Sequence, residues 1–428
     1  MRLYVHREFK GRYEPVGVLQ DDSGAPSFSY AESYLSSNDA APISISLPLA
    51  SEPFDSNTTA AFFDGLVPEG SLRRNLADVA RADRRDFLAI LNQVRNEPIG
   101  ALVFSSEAEL TFLDASYEEL PASELKNIAS MPESTALDLT LKSRISLAGA
   151  QTKIGLYHSG DDPEEGWHLP RGGAPSTHIL KTCSEAFPGE TVCEALYLKA
   201  AKRIDLPAAN CFLIESGARN PILAVERYDR RFPNGNQRII SGLPAPLRLH
   251  QEDMCQVLGI SSGLKYEATS TDYLNLMSFA LTGCSSEPTE DRFTLGYFQL
   301  LDYLLGNCDN HLKNWSILYS EDWNGARVAP LYDVVNTTIY PQLAREMGVS
   351  FGGSRVVDDV TADMIYERLG NAGLASYFVK QMCADMREEL VPALEDAASE
   401  LAESGFPEAK SLLDEIEPGI KRRLEVIA

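Results

Sequence analysis

No apolar run in this 428-residue chain reaches the 18 or more residues of a membrane-spanning helix, and Met1-Arg2-Leu3-Tyr4-Val5-His6 leads into no hydrophobic signal segment. We therefore expect a cytoplasmic protein with no membrane partner. The seven cysteines (Cys183, Cys193, Cys211, Cys255, Cys284, Cys308, Cys383) stand singly, odd in number and without a Cys-x-x-Cys pair. That excludes a disulfide frame and a cysteine-built zinc site, and fits reduced thiols. The six histidines include no His-Glu-x-x-His, so any metal should be a hard cation on oxygen ligands. Positive charge is also scarce. Lys and Arg total 38 against 62 Asp and Glu, a net charge of -24. Such a surface repels nucleic-acid phosphates, which argues against autonomous DNA binding and leaves room for a basic partner. There is no internal repeat, no low-complexity tract, no Walker A loop and no Gly-x-Gly-x-x-Gly.

What is present describes an ordinary globular chain, 44% hydrophobic with mean hydropathy -0.18, long enough for two or three domains. Residues 1–105 read as a small mixed domain. Val16–Leu19 and Ile43–Leu47 have strand character, the latter by its period-two alternation, and Leu72–Ala80 and Asp86–Leu91 have helical spacing. Gly100–Phe104 looks like a closing strand. From 106 to 140 the chain is acidic and serine-rich with Pro121 and Pro132, and reads as a linker carrying a short helix. Lys153–Tyr157 and Thr177–Lys181 flank a Gly/Pro-rich region, as an antiparallel hairpin would. A helix over Glu190–Arg203 and strands at Cys211–Ile214 and Ile222–Glu226 follow. Beyond 233 the pattern is mainly helical, at Asp272–Gly283, Phe293–Gly306 and from Ala362 onward. The expectation is an α+β protein with divisions at 1–105, 106–232 and 233–428.

The most telling motif is Leu305-Gly306-Asn307-Cys308-Asp309-Asn310-His311-Leu312-Lys313-Asn314, followed after a short hairpin by Pro330-Leu331-Tyr332-Asp333. An Asp and an Asn at this spacing, with a later Asp, is the order of parts in phosphoryl transfer: Asp309 to take the proton of an acceptor hydroxyl, Asn314 and Asp333 to hold magnesium, Lys313 to neutralise the moving phosphoryl group. The plainer alternative is a polar turn whose side chains cap backbone groups. Against it, Asp333 follows the apolar Ala329-Pro330-Leu331, where an unpaired carboxylate would be costly. Upstream, Arg144–Lys153 is rich in small residues, suiting either a backbone approach to phosphate or a simple turn. Lys181 ends an apolar strand and is either a phosphate ligand paired with Glu194 (or Glu190, one turn earlier) or a solvated edge residue. Arg248–Asp253 is a polar cluster that we read as running into a helix at Met254, with Gln251–Asp253 at its N-terminus. His250 is taken as structural.

At these residues the chain resembles the HipA family, serine/threonine-kinase toxins of bacterial toxin-antitoxin pairs. The resemblance rests on Ile45–Leu49, Leu66–Gly70, Gly100–Phe104, Ser146–Lys153, His178–Lys181, Arg248–Cys255, Asn307–Asn314 and Leu331–Asp333, in order over nearly the full length. It implies a bilobal protein-kinase-like fold that uses ATP and Mg2+. It makes Asp309 the base, with Lys313 assisting, and Asn314 and Asp333 the metal ligands. ATP contacts would come from Ala148, Gly149, Ala150, Gln151, Thr152, Lys153, Lys181 and His311, with Glu226, Arg227 and Tyr228 as the hinge. The serine at 146 would be autophosphorylated, shutting the enzyme off by charge repulsion. The resemblance further implies a HipB-like helix-turn-helix antitoxin, through which DNA is reached indirectly and the toxin acts as corepressor. The substrate would be a translation protein, an aminoacyl-tRNA synthetase such as glutamyl-tRNA synthetase, whose phosphorylation arrests growth and favours persistence. Two departures bear on substrate choice: Thr152 stands where many relatives have Glu, and Met347–Gly353 lacks a basic residue many relatives carry. The alternatives are a catalytically weak kinase-fold scaffold, or a kinase of another protein or small molecule.

Overall fold

The computed structural model describes residues 1–21, 24–94, 97–110, 115–145, 147, 151–217, 220–235 and 238–428. They form two compact units, one of 1–182, 214–262 and 318–325, the other of 183–213, 263–317 and 326–428. Strands and helices are mixed throughout, as an α+β chain requires.

The first unit opens with strands β1 (Arg2–Phe9), β2 (Arg12–Gln20) and β3 (Ser27–Tyr30) and is later joined by β4 (Leu102–Ser105), in the antiparallel order β3-β2-β1-β4. Leu3 and Val5 on β1, Val16 and Leu19 on β2 and Phe28 on β3 turn inward onto Phe62, Phe63, Leu76, Ile90 and Leu91. Those apolar residues come from helices Ser56–Phe63, Gly70–Ala80 and Phe87–Gln93. Asp55 and Asp86 accept backbone N–H groups at the first and third of these helices, a saving of about 1 kcal/mol each.

A second antiparallel sheet holds β5 (Ser116–Glu119), β6 (Lys153–His158), β7 (Trp167–Arg171) and β8 (His178–Lys181). With β9 assigned to Cys211–Ile214 and β10 to Ile222–Glu226, the strands of this unit run β5-β7-β6-β8-β10. The 153–157 and 177–181 segments do pair, but not as a simple hairpin, because β7 lies between them in sequence and covers the other edge of β6.

Three other expectations are corrected. Residues 106–140 are not a linker with one short helix. They hold β5 and helices Ala122–Ser130 and Pro132–Ser143, and the two prolines that suggested a linker sit at helix starts, where a missing N–H is harmless. Ile43–Leu47 is a tight turn with a single Ser44–Leu47 bridge rather than a strand. Ile43 and Leu47 are both buried, four residues apart, and the buried Glu252 carboxyl group accepts Ser44 Oγ and Ile45 N. Gln251–Asp253 is a short strand, not a helix N-terminus. Asp253 alone caps the helix Met254–Leu258, in a reciprocal capping box with Gln256. His250 is a core residue, as expected. It stacks on Trp323 at 4.3 Å, bonds the Ile43 carbonyl at 2.8 Å, and burial pushes its pKa down to about 4.

A buried ion cluster ties this unit together. The Glu97 carboxylate accepts Ser176 N at 2.9 Å and Arg230 Nη2 at 2.7 Å, with Arg227 and Arg248 close by. Asp229 binds Arg227 at 2.7 Å and accepts Gly100 N at 3.1 Å. Burial alone would raise the Glu97 pKa; the three guanidiniums outweigh it and hold the group below the usual carboxylate range.

The second unit is built on helices Glu190–Arg203, Tyr273–Cys284, Pro288–Leu305, Ala362–Asn371, Ser376–Glu403 and Glu408–Val426. Lys199 and Arg203 both reach Glu400, joining the first of these to the fifth. Among the described residues no helix is long and apolar enough to cross a membrane.

Candidate active site

The helix Pro288–Leu305 ends at Gly306 in the left-handed region, φ 74. A Cβ there would meet Arg423 Nη2 at 2.8 Å and Thr338 Oγ1 at 3.0 Å, so only glycine fits. The chain beyond it is shaped by side chains. Asn307 Nδ2 donates to Asp302 Oδ1 at 2.7 Å, and Asn307 Oδ1 accepts Asp309 N at 3.1 Å. The Asp302 carboxyl group is fully buried, and desolvation pushes its pKa up to about 7. The Asp309 carbonyl then accepts His311 N and Asn314 Nδ2, both at 2.8 Å. The Asp-to-Asn spacing thus closes a small loop on itself.

Two further segments brace that loop. Asn310 exchanges hydrogen bonds with Val349, Nδ2 to O and N to Oδ1, each at 3.1 Å. The backbone of Gly348 passes so near that a Cβ would lie 2.7 Å from His311 N. On the other side, Tyr332 Oη donates to Lys313 O at 2.8 Å. The next residue, Asp333, adopts φ 59, which Asp tolerates better than most side chains. Its N–H donates to Glu194 Oε1 at 3.0 Å. Leu331 is pinned just upstream, bonding Pro207 O at 2.8 Å and accepting Ala209 N at 3.0 Å. The second unit therefore brings Asp309, Lys313, Asn314, Asp333 and Glu194 into one hydrogen-bonded neighbourhood, with Lys313 buried and Asp309, Asn314 and Asp333 half-buried.

Apart from His311 and Glu190, which belong to the second unit, the remaining candidates lie in the first. Lys181 is buried at the end of β8, directly opposite Lys153 of β6 and Leu223 of β10. Two like charges facing each other across a sheet are unfavourable unless an anion is near. Gln151 and Thr152 are half-buried, and Gln151 Nε2 lies 3.5 Å from Thr182 O. Glu226 ends β10 exposed, opposite His178, and Tyr228 is half-buried. Arg227 donates its N–H to Thr177 O at 2.8 Å, and its guanidinium is committed to the buried cluster with Asp229 and Glu97. Ser146, Ala148, Gly149 and Ala150 lie outside the described residues.

Sequence reasoning missed Tyr266. Its hydroxyl donates to Asp309 Oδ1 at 2.6 Å, and its ring stands edge-on to the buried His311 at 5.1 Å. The only local signal was an aromatic and a glutamate, Tyr266-Glu267, within an otherwise polar loop.

Magnesium fits this donor set. The amide of Asn314 spends its nitrogen on Asp309 O, which leaves its oxygen as the atom that would serve a cation. Among the described residues no three His, Cys, Asp or Glu side chains gather as a metal cage. One carboxylate and one amide is what a cation completed by water and substrate phosphates needs.

The sequence matches two family models, the HipA N-terminal domain over residues 11–105 and the HipA-like C-terminal domain over 145–394. A protein of Sinorhizobium fredii named as a kinase, Y4mE, is 31% identical over 88% of this chain and 87% of its own length. The serine/threonine-protein kinase toxin HipA of Shewanella oneidensis is 26% identical over 78% of this chain and 76% of that protein. In fold, the chain is similar to HipA in the solved complex of Shewanella oneidensis HipA, HipB and operator DNA, with a TM-score of 0.79 at 22% identity, covering 99% of this chain and 96% of the other.

Proposed function

We propose, from the premise that this chain belongs to the HipA family of kinases, that it transfers the γ-phosphoryl group of ATP to a serine or threonine hydroxyl of a protein. The observation that carries this reading is the closed Asp309–Asn314 loop tied through Tyr332 to the segment bearing Asp333. Asp309 accepts the proton of the incoming hydroxyl, whose oxygen attacks the γ-phosphorus as the bond to ADP breaks. Asn314 Oδ1 and the Asp333 carboxylate would hold magnesium, which when bound neutralises charge on the phosphates. Lys313, buried in the same loop as the base, would offset negative charge as it moves to the leaving group. Lys181, with Lys153 facing it, supplies the cationic edge for the nucleotide phosphates, and residues 148–153 its backbone contacts. Glu194 holds the backbone of Asp333, and the pairing with Lys181 remains a proposed role for the same carboxylate. His311 in the second unit and the 226–228 segment in the first are each proposed as nucleotide contacts.

The role we assign is that of a toxin in a toxin-antitoxin module. The Shewanella oneidensis relative is named a toxin, and its solved form is a complex with HipB and operator DNA. A HipB-like antitoxin is the partner proposed here, an excess of 24 negative charges suiting a basic protein. An aminoacyl-tRNA synthetase is the proposed substrate, and autophosphorylation of Ser146 the proposed off switch. Asp309→Asn should abolish transfer of label from ATP, both to the chain itself and to an added protein. Retained transfer in that variant would end the assignment of Asp309 as the base.

A further inference from the structure

The geometry points to Tyr266 as a positioning residue for the proposed base, a role that rests on the reading of Asp309 given above. A carboxylate on a short side chain turns about a broad, soft torsion, so a base needs a second group to hold its plane. Among the described residues, Tyr266 supplies the hydrogen bond to the Asp309 carboxylate, 2.6 Å onto Oδ1, within the range of a charge-assisted O–H···O contact. With Oδ1 taken, Oδ2 is the oxygen that meets an acceptor hydroxyl.

Tyr266 is held where it stands by both neighbours. The carbonyl of Lys265 accepts Leu312 N at 3.1 Å, so the strut is bonded to the very loop it serves. Glu267 donates its N–H to Gly348 O at 2.7 Å, and its buried carboxylate collects Tyr273 N at 2.8 Å, Ser350 N at 2.9 Å and Arg368 Nη2 at 2.8 Å. Gly348 N in turn bonds Cys308 O at 2.9 Å. The phenol therefore hangs between two anchored residues, with its ring against His311 and Lys265 Nζ 5.5 Å from the ring centroid. Yet the side chain is 44% exposed, which a purely core role would not leave. An exposed aromatic whose polar tip is spent on the base belongs at the mouth of the acceptor site.

The experiment uses the full chain, with radiolabelled ATP and dephosphorylated casein as the added acceptor. Tyr266→Phe keeps the ring and removes the hydroxyl. We expect kcat to fall about tenfold, with KM for ATP and the melting temperature unchanged. Tyr266→Gln, which restores a donor without the ring, should recover part of that loss. An unchanged or higher kcat in Tyr266→Phe would overturn the proposal, the second case marking the phenol as a cap that blocks the base. So would a change confined to KM for ATP, or loss of folding, since a structural role would then explain the contact. Asp309→Asn separates the two readings: if it is dead while Tyr266→Phe is normal, only the role of Tyr266 fails.

Discussion

Asp302→Asn tests whether the support beneath the proposed catalytic loop is a protonated acid. The wild-type carboxyl group is fully buried and its pKa is raised from 3.8 to about 7 by desolvation. A raised carboxyl pKa means that the native state binds a proton the unfolded state has lost. The stabilisation is complete below the unfolded value and is lost as pH rises through the folded value. At about 1.4 kcal/mol per unit, the span from 3.8 to about 7 corresponds to a loss of about 4 kcal/mol. Between pH 5 and 8 about 3 kcal/mol of this should be visible. Asparagine has no such proton, yet its carbonyl still accepts Asn307 Nδ2 in the position Asp302 Oδ1 now fills at 2.7 Å. The variant should therefore gain on the wild type with rising pH and level off above about 7. Hydrogen exchange of the peptide 296–305, followed by mass spectrometry at several pH values, reads the local opening free energy directly. Parallel wild-type and variant profiles from pH 5 to 8 would refute the reasoning.

Two other perturbations probe the frame around the site. Gly348→Ala places a methyl group 2.7 Å from His311 N and 2.9 Å from Asn310 C, backbone atoms that cannot yield cheaply; it should destabilise the second unit by about 1–3 kcal/mol and lower kcat more than KM, as denaturation and steady-state kinetics would show. Glu97→Gln leaves three guanidiniums short of one negative charge in a dry setting and should cost about 3–5 kcal/mol, read as a lower urea midpoint for the first unit. A variant as stable as wild type would mean that water reaches the cluster.

Much of this architecture could be read from local signals. The helix over 190–203 and the strands at 211–214 and 222–226 match the expected bounds, because each carries its own periodicity and its own stops. The Asp309–Asn314 spacing was legible for the same reason, since a loop that bonds to itself is encoded within six consecutive residues. Tyr266 was not, because 43 residues separate it from the carboxylate it serves. Arg227 could be placed just past its strand but not in its ion cluster, whose Glu97 and Arg230 are 133 positions apart. The Ile43–Leu47 turn misled through alternation alone: its apolar ends are buried around Tyr30, whose hydroxyl bonds both Ile43 N and Leu47 O. Periodicity reports which side chains are covered, and only the partner decides the backbone path.

The Glu97 cluster has a consequence for anyone who would dissect this molecule. Glu97 lies in the segment matched by the N-terminal family model, while Arg227, Arg230 and Arg248 lie in the segment matched by the C-terminal one. Cutting the gene between those segments would strand each half with uncompensated charge. The pieces would need to be co-expressed to recover a stable kinase, and a chimera of two relatives would have to inherit both sides of this electrostatic joint from the same parent.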